Sequence, residues 1–329
     1  MSRQTNNYKS LLYFLGFGLV FTLIFNQLGH NLVLASSPEL VSQNEAAAGV
    51  TQVNLFQAIV LGFVQGATEF IPISSTAHLK AIPVFFGWDD PGVSFTAVIQ
   101  LGSIAAVISY FWSDLNQIVK GIIKAIRHSN YESPDFWLAV GLALGSLPLI
   151  FAGLVLTIFE PPIYETVFRS MPSIAIVSIV MASLLALAEY VGTQKRNFED
   201  LTVKDGVFIG LAQALAIIPG VSRSGSTMTA SLFNNIDRAS AARFSFLLGI
   251  PAITAAGLVG LKDLIDTGGG DAGFLPLIAG LISSTVFSYL AIAWLLAFLK
   301  RRSTWVFVWY RLGFGVFILA AVALGWIKG

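Results

Sequence analysis

Gln65 to His78 reads QGATEFIPISSTAH, and Ile218 to Ala230 reads IPGVSRSGSTMTA. Together these strings hold a carboxylate, a histidine, an arginine and a row of hydroxyls. In the first, Gln65 and Glu69 are four residues apart and so share one face of a helix. Gly62 and Gly66 lie on the same side, where another backbone can come close. That helix ends before Pro72, because the residue ahead of a proline is pushed out of helical geometry. Ser74, Ser75 and Thr76 can then cap a new helix beginning near Ala77, with His78 in its first turn. Glu69 or His78 could act as general base towards water or the Ser75 hydroxyl. In the bland alternative the hydroxyls merely cap, Glu69 is protonated and hydrogen-bonded, and His78 packs as a neutral ring.

The second string supplies a fixed positive charge. Arg223 stands between Ser222 and Ser224, bracketed by Gly220 and Gly225, with Ser226 and Thr227 at a predicted helix start. This is anion-binding chemistry. Glycines let backbone N–H groups turn inward, a helix N-terminus adds partial positive charge, and a guanidinium grips phosphate oxygens in a fork. The competing role for Arg223 is a purely structural ion bridge to Glu69, against which the density of glycine and hydroxyl argues.

The elements that must hold these strings lie in an apolar chain. Of 329 residues 55% are hydrophobic and 11% charged, with a mean hydropathy of +0.76, where a soluble domain carries roughly 25% charged residues. The chain reads as an integral membrane protein, so its partner is the bilayer. Nineteen basic against eighteen acidic side chains leave a net charge of +1, which recruits no nucleic acid. There are no cysteines, so disulfides and thiolate metal sites are excluded.

Six uncharged or nearly uncharged stretches are long enough to cross a bilayer: approximately Gly92 to Ser113, Phe136 to Phe159, Pro172 to Ala188, Phe244 to Leu261, Ala272 to Phe298 and Trp305 to Ile327. Arg311 alone interrupts them. It lies near the start of the last span, from where it is expected to snorkel towards the preceding basic loop, with an interior role as the alternative. Lys and Arg collect on the cytoplasmic side. Lys120, Lys124, Arg127, Lys195, Arg196 and Lys300 to Arg302 mark alternate loops as inside, and Glu160, Glu165, Asp263, Asp266 and Asp271 mark the others as outside. The first polar string then lies on the outer side.

Leu55 to Thr68 and Val207 to Ile218 are too short to span, and proline and hydroxyls follow each. Both read as re-entrant hairpins with their turns buried against each other, since irregular backbone at membrane depth must be surrounded by protein or a wet cavity. LGFVQ from Leu61 aligns with IGLAQ from Ile209 at an offset of 209 − 61 = 148, and FTAVIQLGSIAA from Phe95 aligns with FSFLLGIPAITA from Phe244 at 149. The predicted fold is thus an all-α polytopic membrane protein of two inverted-topology repeats, 53–200 and 201–329. Each is a re-entrant hairpin plus three transmembrane helices, a plan whose sites lie where the broken segments meet. Residues 1–35 read as a signal peptide or an uncleaved anchor, and 36–52 as an external linker.

QGATEFIPISSTAH and PGVSRSG resemble the two signature motifs of the bacterial undecaprenyl-diphosphate phosphatase family, often called the bacitracin resistance protein. The resemblance runs from about Leu55 to the C-terminus and includes FTAVIQLGSIAAV, FSFLLGIP and WYR at Arg311. It implies hydrolysis of a polyprenyl diphosphate to the monophosphate plus phosphate in the plasma (inner) membrane, with the site opening to the outer face, lipid-carrier recycling for peptidoglycan synthesis, and bacitracin resistance. Glu69, Ser75 and His78 match the family's catalytic positions. Arg223, Ser222, Ser224, Gly220, Gly225, Thr76 and Gln65 fall on its diphosphate-binding segments. Two departures matter: Gln65 stands where many members have a glutamate, and Ala77 where glycine is usual. Gln65 cannot serve as a base, so a two-carboxylate mechanism or metal clamp is not expected. No protein metal site is expected, although a divalent cation such as magnesium or calcium could bridge the two phosphates. A homodimer is left open. The rival from another class is a transporter or flippase of an anionic lipid or solute, which the repeat suits equally.

Overall fold

The computed structural model describes residues 53–129, 131–266 and 273–327. The signal peptide or anchor at 1–35 and the linker at 36–52 lie outside the described residues. The described chain is helical, with six helices long and apolar enough to cross a membrane. It is a multi-pass helical membrane protein.

The first hairpin pairs α1 (Leu55–Glu69) with α2 (Ser75–Phe86). Asn54 and Gln57 close a reciprocal capping box at the start of α1, which satisfies two otherwise orphaned backbone donors. Gly87, at φ 64°, ends α2 by donating its N–H to Pro83 and Val84 carbonyls. The long helix α3 (Val93–Tyr110) leads at Phe111 into α4 (Trp112–His128), and α5 (Pro134–Phe159) and α6 (Met171–Val191) complete the first half. Among the described residues the second half has five α-helices. It has a hairpin of α7 (Val203–Ala214) and α8 (Arg223–Phe233), then α9 (Arg238–Asp266), α10 (Phe274–Leu299) and α11 (Trp305–Ala323). The spans expected from sequence all form, and α5, α6 and α9 extend beyond their expected bounds, α9 the most.

The two halves are interleaved. α1 packs on α10 and α7 packs on α5, while α3 lies against α9 and α6 against α11. Lipid tails are as apolar as the side chains, so such contacts are held by close approach and interhelical hydrogen bonds rather than by expulsion of water. Two glycines permit the approach. A Cβ on Gly62 would lie 2.3 Å from the Gly280 carbonyl oxygen, and one on Gly210 would lie 2.2 Å from that of Gly145. Ser283 Oγ adds a hydrogen bond to the Ile59 carbonyl at 2.8 Å.

Apolar side chains such as Phe151, Ile158, Phe159 and Val316 cover the outside of the bundle, as a lipid-facing shell requires. Polar groups are gathered inside, around the ends of α1 and α8. There Phe70, fully buried and edge-on to Phe246 at 5.1 Å between ring centroids, anchors the first turn in the main apolar cluster.

Candidate active site

Each hairpin turns on a serine. Ser74 and Ser222, separated by 222 − 74 = 148 residues, both adopt positive φ, 76° and 70°. A non-glycine residue there carries strain of order 1–3 kcal/mol, which the helix caps offset. Ser74 Oγ accepts from the Ala77 N–H at 3.4 Å and Ser222 Oγ from the Gly225 N–H at 3.1 Å. Both second helices therefore start at Ser75 and Arg223, α2 two residues and α8 three residues earlier than the sequence suggests. The turns meet as expected: Ser224 Oγ donates across to the Ile71 carbonyl at 3.2 Å and lies 3.4 Å from that of Glu69.

Glu69 is the centre of what they build. Its buried Oε2 accepts from Ser75 Oγ at 2.7 Å and from Gln65 Nε2 at 2.9 Å, while Oε1 lies 3.5 Å from Arg223 Nη2. Gln65 is positioned in turn by a hydroxyl network, its Nε2 lying 3.3 Å from Ser103 Oγ. Ser103 also accepts from Ser288 at 2.9 Å, so its own hydroxyl proton is left for Ser284 at 3.1 Å. Gln65 Oε1 is buried and has no hydrogen-bond partner in the protein.

Arg223 is buried and donates Nη1 to the Ser245 carbonyl at 2.9 Å. Its Nε and Nη2 have no hydrogen-bond partner, so one guanidinium holds the fold with one arm and keeps donors for an anion. Gly249 makes the space, since a Cβ there would lie 1.9 Å from Nη1. The ion bridge between Arg223 and Glu69 anticipated as the competing role does form, and it sits within the same constellation as Ser75.

Arg311 corrects the sequence reading. It does not snorkel but is fully buried, donating Nη2 to the carbonyls of Gly220 at 2.7 Å and Val221 at 3.0 Å, and Nη1 to that of Pro72 at 3.3 Å. One guanidinium thus ties both turns together. Three inward-facing carbonyls of broken helices supply the acceptors that water and headgroups would have offered a snorkelling side chain. Gly225 leaves it room, as a Cβ there would lie 2.6 Å from Arg311 Nη1, and Gly220 adopts φ 93° to present its carbonyl.

The remaining expected residues divide. Thr76 is exposed on a cleft shared with Lys80, Asp90, Arg169 and Pro219. Ser222 and Ser224 spend their hydroxyls on the cap and on the junction of the turns. His78 is not joined to Glu69 or Ser75. Its Nδ1 faces the Ser74 carbonyl at 2.7 Å and so must carry the proton, leaving Nε2 of the neutral ring to accept from Tyr310 Oη at 2.6 Å. The ring also stacks on Phe314. Tyr310, Ser103, Ser245 and Gly249 were not singled out from sequence. Tyr310 lies in the quoted WYR stretch, Ser245 and Gly249 in FSFLLGIP and Ser103 in FTAVIQLGSIAAV, which gave the only signal.

A buried carboxylate bonded to a serine hydroxyl, beside a guanidinium with unengaged donors, is suited to transferring a phosphoryl group. A family model described as bacitracin resistance protein BacA matches residues 58–317, which contain both hairpin turns and Arg311. The chain belongs to this family. Among relatives, it is 62% identical over 287 residues to an undecaprenyl-diphosphatase of Synechocystis sp., covering 87% of this chain and 88% of that one. It is 59% identical over 284 residues to one of Nostoc sp., covering 86% and 89%. It is 52% identical over 295 residues to one of Synechococcus sp., covering 90% and 99%. The matched residues thus take in all of the described bundle except the first turn of α1 and the end of α11.

Proposed function

We propose that the chain is an undecaprenyl-diphosphatase, hydrolysing the lipid diphosphate to undecaprenyl phosphate and inorganic phosphate. In that role it recycles the carrier for peptidoglycan synthesis and confers bacitracin resistance. The observation that carries the site assignment is the 2.7 Å hydrogen bond from Ser75 to Glu69 with Arg223 alongside. Ser75 Oγ attacks the distal phosphorus as its proton passes to Glu69 Oε2. The phosphoanhydride P–O bond breaks and the lipid monophosphate departs. Glu69 passes that proton to the oxygen of the departing monophosphate and, ionised again, deprotonates a water that attacks the seryl phosphorus. The Ser–O–P bond breaks, Ser75 Oγ regains the proton from Glu69, and inorganic phosphate is released. Arg223 Nε and Nη2 neutralise the charge that develops on the transferred group. Gln65 and the serines behind it hold Glu69 in the orientation that receives the proton. His78, through Ser74 and Tyr310, fixes the turn that presents Ser75, which replaces the general-base role expected for it. Among the described residues no group of three or more acidic or histidine side chains could hold a metal. A divalent cation would therefore reach the site on the diphosphate itself.

The two halves are proposed to be inverted repeats, 53–200 and 201–329. The matching serine turns, the matching close-approach glycines and the exchanged packing of α1 on α10 and α7 on α5 support this. The placement proposed is the plasma (inner) membrane, and the loop charges support an orientation with the first hairpin opening outward.

The transporter reading leaves Ser75 without a use. Purified protein in detergent is expected to release inorganic phosphate from undecaprenyl diphosphate, and Arg223→Ala to lower that rate by about three orders of magnitude. No release by the parent, together with lipid or anion transport in vesicles, would overturn the enzyme; unchanged release by the variant would overturn the site.

A further inference from the structure

The helix α4 is unlike the rest. It carries Asp114, Lys120, Lys124 and Arg127 and is not one of the six spans, yet it exposes Trp112 (66%), Val119 (50%), Ile123 (46%) and Ile126 (63%). At 3.6 residues per turn these four apolar side chains fall within a sector of about 60°. Arg127, Lys120 and Lys124 fill the next sector of about 60°. The opposite side packs inward through buried Ile118, Gly121 and Ala125; a Cβ on Gly121 would lie 2.5 Å from Asp135 Cβ on α5. So the apolar stripe is not the side that joins α4 to the bundle.

We infer that α4 lies in the plane of the membrane surface, its apolar stripe among acyl chains and its basic stripe binding the headgroups of anionic phospholipids. Three observations commit the surface to this occupant. First, α4 begins directly at the end of the spanning helix α3, which puts Trp112 at the boundary where tryptophan prefers to sit. Second, the apolar and basic stripes adjoin, so a helix that immerses the first brings the second to phosphate depth. Third, the three cations are uncommitted. Lys120, Lys124 and Arg127 form no ion pair among the described residues, whereas the helix's own Asp114 is neutralised by Arg243 at 2.9 Å. On the orientation proposed above, this is the cytoplasmic leaflet, where negative surface potential attracts such segments.

The test uses the full-length protein in detergent, titrated with phosphatidylglycerol or phosphatidylcholine and read by native mass spectrometry. The parent is expected to retain phosphatidylglycerol over phosphatidylcholine by about fivefold or more, less so at high salt. Lys120→Gln with Lys124→Gln and Arg127→Gln should bring the two lipids towards parity. The charge-preserving Lys120→Arg, Lys124→Arg, Arg127→Lys variant should keep the preference, as should Lys300→Gln with Arg301→Gln and Arg302→Gln at another basic loop. No preference in the parent, equal loss at the 300–302 loop, or loss in the charge-preserving variant would each overturn the assignment.

Discussion

Gln65 is where this chain departs from a two-carboxylate arrangement, and the structure gives the departure a consequence. Its amide donates to Glu69 at 2.9 Å and lies 3.3 Å from Ser103, so it orients the carboxylate as an acid in its place could not when ionised. Gln65→Glu would set two carboxylates within hydrogen-bond distance, and one of them must then hold a proton. The expected outcome is a lower rate of phosphate release in the absence of divalent cations and a partial recovery on adding magnesium. Equal rates with and without the metal would contradict the role given to the amide. At this scale the polar types were legible because they stand out against apolar neighbours, and the strings around Glu69, Ser75 and Arg223 identified the groups that converge. Arg311 was not legible. Near the start of a span, snorkelling is the ordinary fate of an arginine, and the carbonyls that hold it belong to residues 91 and 239 positions away. The partner of His78 was not legible for the same reason, since Tyr310 is 232 residues distant.

Among the elements, the start of α7 depends on one carboxylate. Asp205 accepts from Arg196 through both oxygens, at 2.8 and 2.6 Å, and from the Thr202 hydroxyl and Asn234 amide at 2.7 and 3.0 Å. Burial would raise its pKa, but the Arg196 and Thr202 hydrogen bonds and the Arg196 charge outweigh it and hold the carboxyl below the usual range. A carboxyl depressed on folding stabilises the fold above its unfolded pKa, and that contribution drains away as pH falls through the lower folded value. Asp205→Asn is therefore expected to destabilise the protein by about 2 kcal/mol near neutrality. It should also flatten the loss of thermal stability below about pH 4, as read by melting in detergent. An unchanged acid limb would contradict this account of the cap. The start of α7 was not legible in the sequence, where hydropathy marked the segment only from Val207 and the cap at Thr202 lies ahead of the apolar run. The starts of α2 and α8 depend on serines at positive φ, a conformation these residues rarely adopt and which composition does not announce.

For the whole molecule, the six spans and two hairpins could be read from hydropathy and charge, because the bilayer imposes length and backbone satisfaction on every segment. Which helix packs on which could not. The exchange of α1 and α7 between the two halves is decided by shape at Gly62 and Gly210, and shape leaves little trace in a weakly repeated sequence. Inverted halves make a sidedness prediction. The chain has no cysteine, so Asp89→Cys and Glu199→Cys, both at exposed positions, can each be the single thiol. A membrane-impermeant maleimide should label Asp89→Cys on intact cells and Glu199→Cys only after permeabilisation; labelling of both from one side would show the halves to be parallel. The central claim, that the Ser75–Glu69 pair beside Arg223 performs the chemistry, is tested most directly by single-turnover phosphate release from undecaprenyl diphosphate, comparing Glu69→Gln with the parent in one detergent. Glu69→Gln keeps the shape and an acceptor for Ser75 but cannot take its proton, so the rate should fall by about 10²–10⁴-fold with the melting temperature little changed. A folded Glu69→Gln protein that releases phosphate at the parent's rate would contradict the account.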